Sequence, residues 1–194
     1  MKIAITGAHS TGKSTLVDAL SQDTALKKRY IFRGNITRSI RESGISINEA
    51  GSESSQLLVL AKHLEHYVPE NIILDRCALD GLVYTAYLFE RGMVSRDILR
   101  IAEAIFENLK YDLIFYLTPE FEIVDDKVRS TDLTFRDRVA ELFDEYIDSY
   151  KLNVIHLTGS IEERVTQFKS ALKDHDKMLK EYRNSLFKTI TEVV

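Results

Sequence analysis

The sequence has one cysteine, two prolines, eight glycines and no tryptophan in 194 residues. A single thiol, Cys77, rules out an intramolecular disulfide framework and fits a reducing compartment. No histidine stands near it in the sequence, so it reads as buried and inert. With so little Pro and Gly there is no linker, and no internal repeat or low-complexity tract is visible. Long apolar runs are also missing. Nothing could span a bilayer, and the opening Met1-Lys2-Ile3-Ala4-Ile5 leads straight into a strand rather than a signal peptide, so a cytoplasmic protein without membrane partners is expected. Positive charge is not in excess: 26 Lys and Arg stand against 30 Asp and Glu, a net −4. That balance argues against coating nucleic acid but leaves room for a local basic groove. The five histidines show no metal-ligand spacing; His63 and His66 are an i, i+3 pair without a partner motif.

What is present is a regular alternation of short apolar runs and longer amphipathic stretches, in a chain of one-domain length with 44% hydrophobic residues. Strands are expected at Lys2 to Thr6, Tyr30 to Arg33, Asn71 to Asp75, Leu113 to Leu117 and Leu152 to Leu157. Helices are expected at 13–21, 37–42, 52–67, 79–90, 95–109, 135–150 and from Ser160 to about Leu172, the last opened by a Ser160/Glu163 capping box. In the 52–67 helix, Leu57, Leu58, Leu60, Ala61 and Leu64 are assigned to the inner face. In the 95–109 helix, Ile98, Ile101, Ala102, Ile105 and Leu109 fall at helical spacing. Continuous apolar strands separated by helices indicate an α/β fold with a five-stranded parallel sheet covered on both faces. Ligands in such sheets bind at the carboxyl ends of the strands, here just after Thr6, Leu74, Leu117 and Leu157.

The first of those ends carries Gly7-Ala8-His9-Ser10-Thr11-Gly12-Lys13-Ser14, a complete G-x-x-x-x-G-K-[ST] motif between strand and helix. The glycines allow a tight loop whose N–H groups face phosphates, and the helix adds the positive end of its dipole. The motif predicts that ATP is held by Gly7, His9, Ser10, Thr11, Gly12, Lys13, Ser14 and Thr15, with the Lys13 ammonium on the β- and γ-phosphates and Ser14 ligating Mg²⁺. His9 is read as a partly exposed loop side chain rather than a base. Asp75-Arg76 ends the third strand beside this loop. Asp75 is a candidate general base or a ligand of Mg²⁺ through water, and Arg76 a candidate for neutralising the moving phosphoryl group; a surface ion pair is the alternative.

Asp80 is a second carboxylate for the same cleft, or a helix-start carboxylate answering the dipole. The segment from Arg129 to Arg138 suits a lid that brings Arg129 and Arg136 to the γ-phosphoryl, against the alternative of a solvated charge run. Arg38 is a candidate acceptor ligand, Tyr84 a candidate stacking residue, and Gly159-Ser160 a backbone surface for adenine.

The chain resembles the small P-loop kinases typified by the nicotinamide riboside kinase domain of NadR, often labelled as AAA-type domains. The resemblance rests on Ile5 to Thr15, Asp75-Arg76, Tyr111 to Leu117, Asp125 to Asp132 with Phe135-Arg136, and Gly159 to Val165, and it covers nearly all of residues 1–170. It implies a three-layer P-loop NTPase fold and an ATP-dependent kinase with a lid and a carboxylate base at Asp75. One departure stands out. Members commonly carry an acidic residue ahead of an arginine after the second strand, where this chain has Gly34-Asn35-Ile36-Thr37-Arg38.

A kinase domain is therefore expected over 1–172. An amphipathic helical extension follows over 173–194, where Leu172, Leu179, Leu186 and Val193 recur every seven residues and predict docking on the domain or pairing with another chain. The expected activity is transfer of the γ-phosphoryl of ATP to a hydroxyl of a nucleoside-like small molecule. The alternatives are a nucleoside monophosphate acceptor, a nucleic-acid hydroxyl served by Lys27, Lys28, Arg29 and Arg33, or an ATPase switch. A monomer or homodimer is consistent with the sequence.

Overall fold

The computed structural model describes residues 1–119 and 133–191, with side chains as far as 185. Five strands, β1 (Lys2–Thr6), β2 (Ile31–Arg33), β3 (Ile72–Asp75), β4 (Leu113–Tyr116) and β5 (Val154–His156), form one sheet in the order β2-β3-β1-β4-β5. Every pairing is parallel, with Ile5 beside Asp75 and Thr6 beside Tyr116. The expected α/β architecture is present. β1 is central because it is apolar on both faces: Ile3 and Ile5 pack into one core, Ala4 into the other.

Helices α1 (Lys13–Ser21) and α8 (Ile161–Thr191) pack against each other and supply buried residues to the core around Ile3 and Ile5. The core on the opposite face is built by α4 (Glu53–Tyr67), α5 (Ala78–Glu90), α6 (Arg96–Asn108) and α7 (Leu133–Ser149). The strands leave β1 in opposite directions across the sheet, so the crevice at their carboxyl ends opens beside β1.

Three sequence expectations differ from the structure. A short helix, α2 (Thr24–Arg29), precedes β2; Asp23 caps it by accepting the Ala25 and Leu26 N–H groups at 2.8 and 3.0 Å. Six residues are too few to give a readable helical period. Next, the inner face of α4 is Ser55, Gln56, Val59, Leu60 and His63, while Leu57, Leu58, Ala61 and Leu64 are exposed. The leucine count pointed to the wrong side of the helix, because buried polar residues were not credited to a core. Ile101 is likewise exposed, on an α6 that buries Ile98, Leu99, Ala102 and Phe106.

The helix opened by Ser160 continues without a break past Leu172 to Thr191. Leu172 is buried against α1, whereas Leu179 is 42% exposed. Arg29 pairs with Asp176 and Lys169 with Asp23, fastening this helix to α2 and its cap. Helix α3 (Ile36–Glu42) lies between β2 and α4, and Ile36, Ile40, Ile47 and Val59 form a small separate core there.

Candidate active site

Residues 7–14 turn from β1 into α1 with a backbone that only some residues tolerate. Gly7 has φ 134°, and a Cβ there would lie 2.3 Å from the Leu117 carbonyl oxygen. Gly12, at φ 85°, starts α1. Lys13 is buried; its ammonium donates to the Ala8 carbonyl and, at 3.0 Å, to Thr11 Oγ1. Ser14 Oγ donates to Asp75 Oδ2 at 2.9 Å, from the start of α1 to the end of β3. The β1–β3 register makes this contact, since it ends both strands at the same level. Gly34, just after β2, presses on the other side of Asp75: a Cβ on Gly34 would come within 2.9 Å of Asp75 Cβ.

Asp80 is fully engaged. It accepts Thr6 Oγ1 at 2.7 Å, the Cys77 N–H at 2.8 Å and Arg76 Nη1 at 2.9 Å. It thus ties together the ends of β1 and β3 and the start of α5, and it aims the Arg76 guanidinium, which lies 5.3 Å from the Tyr84 ring centre. Arg76 itself takes φ 77° at this turn. Cys77 is buried, and burial pushes its thiol well above the usual range, as expected of an inert cysteine.

His9 is buried rather than partly exposed. Its ring stacks on Phe135 at 4.8 Å, and its Nδ1 is 3.3 Å from the Tyr84 hydroxyl. The residue therefore braces the loop against α5 and the first turn of α7. Among the remaining sequence candidates, Ser10 is buried, Thr15 exposed on α1, and Arg38 exposed on α3. Arg136 is mostly buried beside Phe135, with Nε 3.2 Å from Asp137. Arg138 is held in ion pairs with Glu90, Glu141 and Glu145 on the surface. Gly159 and Ser160 sit at the carboxyl end of β5 in the capping box: Ser160 N–H donates to Glu163 at 2.7 Å and receives the return bond at 3.3 Å. Arg129 lies outside the described residues.

Several residues in this crevice carried no sequence motif. Arg164, wholly buried, reaches from α8 to donate Nη1 to the Thr11 carbonyl at 2.7 Å, holding the phosphate loop from behind. Gln56 and His63 on α4 line a cavity with Thr37, Arg76, Asp80 and Tyr84. Gln56 Oε1 accepts Thr85 Oγ1 at 3.1 Å. Burial, helped by the Arg76 charge, depresses the His63 pKa to about 3, so this imidazole is neutral. Neither had a sequence signal, because most of the leucines of α4 lie on the other side of the helix.

The donor set fits a magnesium nucleotide. A glycine-shaped loop with a buried lysine forms one wall, and a serine hydroxyl bonded to a strand-end carboxylate forms the place for a hydrated cation. Among the described residues no group of three His, Cys, Asp or Glu side chains could hold a metal by itself.

The family profile described as AAA domain matches residues 2–164. The chain belongs to that family. Among curated proteins, none matches this AAA-domain chain. Solved structures similar to it include a NadR protein in complex with NR, at a TM-score of 0.63 and 18% identity over 81% of this chain. The chain spans 45% of that protein. A deoxyadenosine kinase from M. mycoides with bound dCTP is similar at a TM-score of 0.61 and 16% identity, over 90% of this chain and all of that one. The same kinase with bound dATP gives 0.58 and 15%, over 89% and 100%. At these identities the likeness is one of fold, and it agrees with the five-stranded P-loop architecture.

Proposed function

We propose that the protein is a kinase that transfers the γ-phosphoryl of ATP to a hydroxyl of a nucleoside-like small molecule. The observation that carries this reading is the Ser14–Asp75 hydrogen bond at the phosphate loop, with a separate cavity on the side of α3 and α4. One end of the crevice suits a nucleotide and the other a small acceptor. The solved structures similar in fold include proteins described as a deoxyadenosine kinase and as NadR bound to NR, which supports an acceptor of this class.

Mg²⁺, when bound with ATP, would neutralise charge on the phosphates. Ser14 and Asp75, hydrogen-bonded to each other, are the residues that would hold it, Ser14 by its hydroxyl and Asp75 through water. Lys13 and the loop N–H groups hold the β- and γ-phosphates. Asp75 is also assigned the acceptor's hydroxyl proton, since Asp80 already accepts three hydrogen bonds. Arg76, aimed by Asp80, offers its guanidinium to the transferring group. Arg136, and Arg129 from outside the described residues, are assigned to the same charge. Gly159-Ser160 flank the adenine side.

Gln56 and neutral His63 present donors and acceptors suited to the edge of a heterocyclic base, and Tyr84 an aromatic face. The cavity now measures about 20 Å³, the room of about one water.

Other acceptors find less support. A monophosphate needs further cations at the cavity, and Arg38 and Arg41 are exposed on α3. The basic run Lys27 to Arg29 lies on α2 near Met1, at the amino end of the sheet, and Arg29 is paired with Asp176. That run is thus remote from the crevice a nucleic-acid hydroxyl would have to enter, which leaves only Arg33 of the basic cluster, at the carboxyl end of β2, on the crevice side.

The test is ADP release from ATP and Mg²⁺ across nicotinamide riboside, ribo- and deoxynucleosides, their monophosphates and 5′-hydroxyl oligonucleotides, with Lys13→Ala as control. Stimulation by a nucleoside, abolished in Lys13→Ala, is the expected result. Hydrolysis unchanged across the panel refutes the kinase reading.

A further inference from the structure

Among the described residues Arg164 is the only charged side chain with no exposed surface. Taking a guanidinium out of water is costly, so its placement calls for a reason. Seating α8 is not that reason. Phe168 packs on Phe115 with ring centres 4.5 Å apart, and Leu172 is buried in the same core. Lys169 and Asp176 pair with Asp23 and Arg29. These contacts hold the helix beyond its first turn without Arg164.

What Arg164 fixes is one peptide of the phosphate loop. Its Nη1 donates to the Thr11 carbonyl at 2.7 Å. The Thr11 hydroxyl donates to the Ala8 carbonyl at 3.1 Å and accepts from the Lys13 ammonium at 3.0 Å. Thr11 is thus held twice, by Lys13 through its side chain and by α8 through its backbone. The Thr11–Gly12 bond is trans, so its N–H runs antiparallel to its C=O. With the carbonyl turned onto α8, the Gly12 N–H faces away from that helix, to the side of the loop where phosphates are to be held. Gly12, at φ 85°, tolerates other orientations of this peptide, so the grip on the carbonyl is what selects one.

The contact also strengthens the donor. A guanidinium on the oxygen draws electron density through the amide resonance and leaves the N–H more positive. A charge on the far side of the loop is thereby relayed through one planar group. We propose that Arg164 is a positioning residue of the nucleotide site, which aims and strengthens the Gly12 N–H as a phosphate donor. The inference rests on the kinase reading in that the loop must bind a polyphosphate.

Calorimetric titration of the full chain with Mg²⁺–ATP and with Mg²⁺–tripolyphosphate tests it. Arg164→Gln is expected to weaken both ligands by the same factor, roughly tenfold or more, because the change acts on the phosphates alone. Arg164→Lys returns a cation to the same place and recovers binding to within about threefold of wild type. Lys169→Ala, which breaks an exposed pair on the same helix, leaves both affinities unchanged. Arg164→Met takes the place of the Gln variant if that one loses the wild-type circular dichroism. Four results overturn the proposal: wild-type affinity in the neutral variant, loss of ATP binding with tripolyphosphate binding kept, a Lys variant as weak as the neutral one, or equal weakening in Lys169→Ala. Failure of both neutral variants to fold also overturns it, by making Arg164 a folding residue. A wild type that binds neither ligand overturns the kinase reading together with it.

Discussion

His63 makes the stability of this protein depend on pH in a calculable way. Its imidazole is buried on α4, and its pKa falls from 6.5 to about 3, chiefly through burial and then through the charge of Arg76. The unfolded chain binds a proton at His63 once the pH drops below about 6.5, while the folded chain does not until about 3. Protons then favour unfolding, so stability is intact above pH 6.5 and declines as pH falls through that window. The slope is about 1.4 kcal/mol per unit. Between pH 7.5 and 5.0 only the last 1.5 units or so count, so His63 removes about 2 kcal/mol.

Replacing it by leucine abolishes this contribution and leaves other titrating groups, His66 included, in both proteins. Urea denaturation of wild type and His63→Leu at pH 7.5, 6.0 and 5.0 should show the wild type losing about 2 kcal/mol more than the variant over the range. Parallel stability curves would show that His63 is hydrated or already protonated in the fold, and would refute the neutral imidazole assigned to the acceptor cavity.

Two further outcomes concern the phosphate side. Asp75→Asn should lower turnover by roughly two orders of magnitude or more. Combined with Ser14→Ala, it should lose far less than the two separate losses multiplied, because one hydrogen bond joins the residues; steady-state kinetics on the four proteins measures this, and independent effects would separate them. Gly34→Ala must displace Asp75, since the new methyl would sit 2.9 Å from Asp75 Cβ. It should reduce kcat about tenfold or more with the fold retained by circular dichroism; unchanged kcat would mean that the β2 end yields instead.

The strands and the phosphate loop were legible in the sequence because local signals specify them. Buried parallel strands are uninterrupted apolar runs, and the loop's glycines, Lys13 and Ser14 lie within eight residues of each other. The face of α4 was not legible. Its buried side includes Ser55, bonded back to Ser52 in the helix cap, Gln56, bonded to Thr85 on α5, and His63 at the cavity, while Leu57, Leu58 and Leu64 face outward. Hydrophobic counting assumes that the richest face goes inside, which fails where a helix serves a polar site on one side and an exposed apolar row on the other. The role of Asp80 was hidden for a similar reason. A carboxylate that joins Thr6, Arg76 and Cys77 across two strands has no sequence period.

The reach of Arg164 bears on how the protein comes into being. The loop spanning residues 7–14 is synthesised long before the guanidinium that grips its Thr11 carbonyl, which follows 153 positions later. β1 is in the same position, since both its neighbours, β3 and β4, follow it by about seventy residues or more. A nascent chain thus carries the complete loop motif long before the loop has its support, which comes late, when the start of α8 reaches back to it.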